Sequence, residues 1–417
     1  MAPNSTSRQR ILAAWNGEAV DHIPLTTWCF GFPAIPTLRW ERDGKPVNYW
    51  YSKRLEHIHL LPQDWTLEDD FKRVLAWRSL DVDDVLDVSV PWSISPEITY
   101  KDTRIAIGNP GGDLQYPVLV RDYQTPVGFL RHAVRQTGEH QSEGWIIQPE
   151  VVPLFDDFNI PRGVKHAVIS PTDIPKIRYL YQKPDAEACN WFANRMKHVK
   201  NFADQNEVAV QAWSAFGMDA VIWLMGTEGA IIMAMEDPTS FGQLVDIIAE
   251  VDLARVELAA ASPGVDMIMQ RGWYSSTDFW SVKLFDKFVV PHLKECTAIA
   301  HKYGKKFGYT MTTGGWLLGT RMADAGVDVL FGIDPVLDKA PLEKFRDALG
   351  DRMTMVGGAN SMTLASGNKQ KIHSEIQHAI EILGPTHRFI LHPIDALFPY
   401  TPHRGVEEMI EAWHKYR

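Results

Sequence analysis

The stretch His392-Pro393-Ile394-Asp395 places an imidazole and a carboxylate three positions apart, the residue types needed to donate and accept a proton near neutral pH. Tyr309 offers a further acid, and these three are the catalytic candidates. Thr310 and Thr312 add short hydroxyls that can orient a leaving group. Trp28, Trp273 and Tyr274 have rings that can hold a planar substrate. Gln270, Asp278, Asp334 and Asn360 complete the substrate-binding candidates. Each has an ordinary structural reading: Asp278 as a helix cap, Asp334 as a turn cap before Pro335, Tyr309 as a donor to a backbone carbonyl. What joins them is position, since all fall where a predicted strand ends. In barrel enzymes that is the end where the chemistry sits. As a metal centre the set is incomplete, because zinc usually takes three or four N, S or O ligands and no cysteine stands at a strand end of the second half. No metal is expected.

The elements that must carry these residues are clearest in the second half. Predicted strands at 208–212, 265–270, 306–310, 325–334, 353–356 and 388–392 alternate with predicted helices at 227–235, 237–261, 281–303, 315–324, 341–349, 369–383 and 403–415. Repeated strand–helix units give a parallel sheet, and their number and spacing predict a (β/α)8 TIM-type barrel, with an open doubly wound sheet as the alternative. The first half is less regular. It offers a helix at 7–16, strands at 22–27 and 83–90, and a helical, Trp-rich stretch at 46–78. Between 97 and 150 the pattern changes to antiparallel strands, at 98–102, 116–122 and 145–148, around the turn Asn109-Pro110-Gly111-Gly112-Asp113. This reads as an inserted β-hairpin region capping the barrel within one domain spanning 1–417.

Composition excludes several classes of function. The net charge of −10 arises from intermingled acids and bases, so neither a nucleic-acid groove nor a membrane surface is implied. Cys29, Cys189 and Cys296 form no CxxC pair and one is left over in any pairing, which suits a reducing cytoplasm. The start of the chain lacks an apolar signal core, and no long uncharged apolar run follows. There is no P-loop, dinucleotide fingerprint, zincin helix or nucleophile elbow. Gly314-Gly315, between a strand and a helix, could present N–H groups to an anion or simply make a tight turn. The 15 tryptophans are read mainly as packing, with a few lining a pocket.

Several segments, in order, resemble the uroporphyrinogen decarboxylase superfamily. They are Arg10-Ile-Leu-Ala-Ala-Trp-Asn-Gly17 with Asp21-His-Ile-Pro24, Met235-Glu-Asp-Pro238, Asp278-Phe-Trp-Ser281 with Phe288-Val-Val-Pro291, Gly326-Val-Asp-Val-Leu330, Gly357-Gly-Ala-Asn360 and Tyr400-Thr-Pro402. The resemblance implies a (β/α)8 barrel and one of two activities. Porphyrinogen decarboxylases carry an arginine-rich segment after the first strand that meets substrate propionates. Here that place reads Thr27-Trp-Cys-Phe-Gly-Phe-Pro33, and Asp395 stands where a family histidine would be, so octacarboxylate substrates are disfavoured.

The other branch holds corrinoid-dependent methyltransferases, whose thiol-methylating members bind zinc at positions that correspond here to Thr310, Thr312 and Asp395. Without imidazole and sulfur there, zinc activation of a thiol is not expected. The resemblance therefore implies a demethylase: a methyl group passes from oxygen or nitrogen of a small, possibly aromatic substrate to a corrinoid (cobalamin) on a partner protein, with Tyr309, His392 and Asp395 assisting the leaving group. A decarboxylase of another carboxylated substrate and a non-catalytic binding barrel are the alternatives. The chain shows no corrinoid-binding segment of its own, and the sequence does not set the oligomeric state.

Overall fold

A computed structural model describes residues 5–50, 65–137 and 150–417. Seven strands form one curled parallel sheet in the order Leu86–Ser89, Val210–Ala215, Met267–Gln270, Lys306–Thr310, Val329–Ile333, Thr354–Asn360 and Phe389–Ile394, each pairing with its neighbour in sequence. Helices return the chain between them, which is the route parallel pairing requires. The segment predicted as a strand at 22–27 contributes one bridge, Leu25 to Leu391. Leu391 N donates to Pro24 O at 2.9 Å on that side, and on the other Asp83 N donates to Leu25 O at 2.8 Å. Pro24 has no N–H to extend the ladder, so the strand stays short.

Side chains alternate across each strand, which divides the apolar core in two. Val85, Trp213, Met267, Met269, Val329, Phe331, Val356 and Ile390 point inward to one cluster. Ile268, Phe307, Leu330, Met355 and Leu391 point outward to the helices. Both faces are covered, which is why these strands read as nearly continuous apolar runs. The helix Ser7–Asn16 adds Ile11, Ala14 and Trp15 to the inner cluster. It is held by a Thr6–Gln9 capping box and ends on Gly17 in the left-handed region at φ 73°. Inner space is tight at Gly308, where a Cβ would collide with Met269 Sδ, so only glycine lets the strands approach. A buried tryptophan such as Trp28 or Trp213 removes about 150–250 Å² from water, or ~4–6 kcal/mol, so these rings dominate the inner core.

Three predicted elements change. The helix expected at 281–303 is two, Val282–Phe288 and Val290–Lys302, because Pro291 cannot donate to the preceding turn and starts a new helix instead. Of the stretch 46–78, only Leu67–Arg78 is helical. Tyr49–Trp50 pairs antiparallel with Phe30–Phe32, and 51–64 lies outside the described residues. The region predicted as an insertion supplies the first three strands of an antiparallel sheet, Thr99–Ile105, Val118–Thr125 and Gly128–Arg135, which Gly163–Lys165 completes from beyond its predicted end. Its third and fourth strands were not anticipated, and the strand predicted at 145–148 lies outside the described residues. The helices Ala186–Asn206 and Met218–Met225 were also not anticipated. Among the described residues no single helix is long and apolar enough to cross a membrane. The three cysteines are unpaired.

Candidate active site

Strand alternation sorts the sequence-predicted residues into three groups. Trp28, Thr310, His392, Trp273 and Asp395 come together at the ends of the sheet strands, around the inner cluster. Trp28 is the hub: it stacks on Phe331 (4.9 Å between ring centroids, 10° between planes) and meets Trp213 (5.5 Å), Trp273 (6.1 Å) and His392 (4.8 Å). Trp273 stacks on Trp213 at 5.7 Å and 18°. Below them Asp87 fixes Trp213, accepting from its indole Nε1 at 2.7 Å and from Gln211 Nε2 at 2.6 Å. His392 is fully buried, and its Nδ1 shares a hydrogen bond of 2.8 Å with Thr26 Oγ1. Asp395 is half-buried and accepts from Trp273 Nε1 at 3.1 Å. Thr312 Oγ1 donates to Trp273 O at 3.2 Å, holding the same residue from its backbone.

Tyr309 and Gln270 lie apart from this group. Both stand at strand ends, but on the outward face. The Tyr309 hydroxyl is fully buried against Ser275 Oγ (2.6 Å), and burial pushes the phenol far above its ordinary range. Gln270 points into a small cavity with Gly217, Asp252 and Cys296, beneath the surrounding helices. Neither side chain reaches the mouth where His392 and Asp395 lie.

Asp334, Asn360, Asp278 and Tyr274 take the ordinary roles that such residues often fill. Asp334 Oδ1 accepts from Val336 N (2.8 Å) and Leu337 N (3.2 Å), and its Oδ2 accepts from Asn360 Nδ2 (2.7 Å). Asn360 Oδ1 caps Ser361–Ala365 by accepting from Met362 N and Thr363 N. Asp278 is exposed and accepts from Thr313 Oγ1 at 2.6 Å, while Ser281 rather than Asp278 caps the following helix. Tyr274 donates its hydroxyl to Asp157 Oδ1 at 2.9 Å, and burial followed by the Asp157 charge pushes its phenol far up.

That last contact belongs to a network the sequence did not reveal. Arg271 is buried with its guanidinium between the faces of Trp223 (4.7 Å) and Trp273 (4.6 Å). Its Nε donates to Asp219 Oδ2 at 3.1 Å, and it lies 3.5 Å from Asp157 Oδ2. Burial raises the Asp219 carboxyl to about 6 despite the neighbouring Arg271 charge. Asp156, also buried, is pushed well above the usual carboxylate range by burial and then by Asp157. Arg271 immediately follows the predicted strand at 265–270, so its place at the rim was legible; its pairing with Asp157, 114 residues earlier, was not.

The site combines a buried stack of aromatic rings, a half-buried carboxylate and a buried imidazole. The carboxylate of Asp395 is of the type that can hold or move a proton. The positions corresponding to a relative's zinc ligands do not fit that metal: Thr310 and Thr312 offer hydroxyls, and the latter's is spent on a backbone carbonyl. Among the described residues the one group of three clustered metal-ligand types is His373, Glu408 and Glu411, on the outer helices. There Lys369 Nζ lies 2.9 Å from both glutamates, as in an ordinary surface ion pair.

A search of curated protein sequences gives no match. Among solved structures, a methyltransferase from Methanosarcina mazei superposes with a TM-score of 0.57 at 17% identity, over 99% of this chain and 99% of that one, which shows a shared fold. A Coccidioides immitis protein assigned as a fructose-1,6-biphosphate aldolase aligns at a TM-score of 0.24 and 13% identity, over 56% of this chain and 84% of that one, too low to carry an argument. The family model for uroporphyrinogen decarboxylase (URO-D) matches residues 156–416, more than half of the chain. The chain belongs to the uroporphyrinogen decarboxylase family.

Proposed function

We propose that this family member is a cytoplasmic methyltransferase that moves a methyl group from a small O- or N-methylated substrate to a corrinoid carried by a partner protein. The observation that carries the reading is the mouth itself: Trp28, Trp213, Trp273 and Phe331 form an aromatic cluster beside Asp395, and the Arg271 guanidinium over Trp273 is buried and already paired with Asp219 and Asp157, whereas a propionate-binding enzyme would need accessible cations. The shared fold with a methyltransferase supports it. On this reading the sheet is a closed (β/α)8 barrel whose first strand is the 24–26 segment, and the antiparallel region within 97–150 caps it.

In this scheme the rings desolvate and orient the donor so that its methyl faces the acceptor, which lowers the entropic cost of alignment. Thr26 orients His392, and Trp273 fixes Asp395. These two ionisable groups serve the leaving atom, and Thr310 contributes a hydroxyl from the inner face. Tyr309 is not assigned a catalytic part. The corrinoid supplies the methyl-accepting cobalt and stays on its own protein. The test is transfer of methyl from methoxyarenes and methylamines to a cob(I)alamin-bearing protein, followed by the change in corrinoid absorbance. Transfer dependent on Asp395 supports the reading. Carbon dioxide release from a carboxylated substrate, with no donor giving transfer, refutes it in favour of a decarboxylase.

A further inference from the structure

The strand Thr99–Ile105 is an outer edge of the antiparallel sheet. It pairs with Val118–Thr125 on one side and, among the described residues, with no strand on the other. Its residues are matched one to one without a bulge, from Thr99 opposite Gln124 to Ile105 opposite Val118. The direction of its free backbone groups follows from the hairpin beside it. Gln136 N donates to Pro117 O at 2.8 Å, so the odd-numbered residues of Val118–Thr125 bond toward Gly128–Arg135 and the even-numbered ones bond toward the edge strand. Those even-numbered residues face Thr99, Lys101, Thr103 and Ile105, which leaves the N–H and C=O groups of Tyr100, Asp102 and Arg104 pointing outward. All side chains of the strand before Ile105 are exposed. Such an edge is a template for another strand unless something blunts it.

Charge on an edge strand usually discourages pairing. Here it discourages several registers and favours one. A second copy related by a two-fold axis normal to the sheet must set outward backbone groups opposite outward backbone groups, and the same face against the same face. Centring that axis on Lys101, Asp102 or Arg104 puts like charges directly opposite each other, which is unfavourable. Centring it on Thr103 puts Asp102 of each copy opposite Arg104 of the other, with Thr103 against Thr103 and Lys101 against the apolar Ile105. We propose that the protein self-associates through this strand in the Thr103-centred register, joining two four-stranded sheets into one. Asp102 already accepts both bonds of the Arg121 fork, at 2.7 and 2.8 Å, while Arg104 spends only its Nε, on Gln136 at 3.0 Å. The terminal nitrogens of Arg104 therefore reach Asp102 of the second copy and complete a line of alternating charge, Arg121, Asp102, Arg104, on each side of the axis. One strand per copy is a small interface, so the association is reversible. It does not rest on the reading of the reaction.

The test is sedimentation of the full-length protein over about 1–100 μM, where a monomer–dimer equilibrium is expected. Arg104→Glu sets two carboxylates against each other at both charged pairs and is expected to weaken the dimer about tenfold. Asp102→Lys sets two cations there, with the same expected loss. Mixing these two variants restores unlike charges at both pairs, so a heterodimer is expected at concentrations where neither variant associates alone. Arg104→Pro removes an outward N–H without taking a bond from Val118–Thr125, and is expected to give a monomer with an unchanged unfolding midpoint. Should that variant unfold, the charge variants decide by themselves. A chain that stays monomeric over the whole range overturns the proposal and leaves the edge to a strand of some other partner or to none. A dimer that Arg104→Glu and Asp102→Lys leave unchanged overturns it as well, as does a mixture of the two that associates no better than either alone.

Discussion

Replacing Arg271 by Gln should cost more at pH 8 than at pH 5.5, and the difference can be worked from the site. The guanidinium lies between Asp219 and Asp157, and Asp219 is fully buried. Removing one partner of a buried ion pair costs about 3–5 kcal/mol, because a charge is left without compensation. Asp219 can escape that cost by taking a proton. Its folded value, about 6 against an ordinary 3.8, already lies above the unfolded one. For an acid this means the fold binds the extra proton, so Asp219 favours the fold fully below about pH 3.8, and that contribution falls as pH rises to about 6.

Without Arg271 the folded value climbs further, so at pH 5.5 Asp219 is neutral in the variant and the loss should shrink to roughly 1–2 kcal/mol, mostly lost stacking on Trp223 and Trp273. At pH 8 it should approach the full ~3–5 kcal/mol. Urea unfolding at the two pH values measures both. Arg271→Lys separates charge from plane: it should recover most of the loss at pH 8 but not the stacking part. A loss below ~1 kcal/mol at pH 8, within the range of ordinary surface substitutions, or one that is the same at both pH values, would show that the buried pair does not work as described.

Three further outcomes follow from the same geometry. Asp395→Asn should lower methyl transfer by about 100-fold, a typical share for a positioned acid–base group, with the unfolding midpoint unchanged; Tyr309→Phe should leave transfer intact and cost ~1 kcal/mol through its lost bond to Ser275, so the reverse pattern in paired kinetic and melting assays would refute the inward–outward assignment. Gly308→Ala should destabilise by ~1–3 kcal/mol in urea, since the added methyl meets Met269 in the inner core. His132, fully buried in the antiparallel sheet, is held down to about 3 by burial and then by His166; the unfolded imidazole takes a proton near 6.5 and the folded one does not, so stability present above pH 6.5 drains away as pH falls toward 3. His132→Gln should flatten that acid limb in unfolding measured between pH 7 and pH 4, and an unchanged slope would count against it.

The repeated strand–helix order was readable because parallel strands covered on both faces leave unbroken apolar runs, and helices announce themselves by starts such as Asp237-Pro238. Which residues lie at strand ends was readable too. Which way they point was not, because a shift of one position reverses the face: Thr310 and Met269 look inward, Tyr309 and Gln270 outward. Parity counted from Gly308, or from the apolar pairs Val329/Phe331 and Met267/Met269, would have separated them. The Arg271 network stayed hidden for another reason. Its partners Asp157 and Asp219 come from separate segments, and no local pattern reports that a loop is folded onto a distant rim.

The helix Ser7–Asn16 and the 24–26 segment also bear on the order in which the molecule assembles. Thr26 reaches His392 across 366 residues of chain, and Thr354 Oγ1 donates to Ala14 O across 340. Closing a loop of that length costs about (3/2)RT ln n, or ~5 kcal/mol before any contact is gained. The inner cluster is therefore sealed by partners from opposite ends of the sequence, and during synthesis Ile11, Trp15 and Trp28 emerge long before Ile390 and His392 exist to cover them. The early segment has to remain soluble and unengaged until the last strand arrives, which makes this seam the natural place for a chaperone to act and for misassembly to begin.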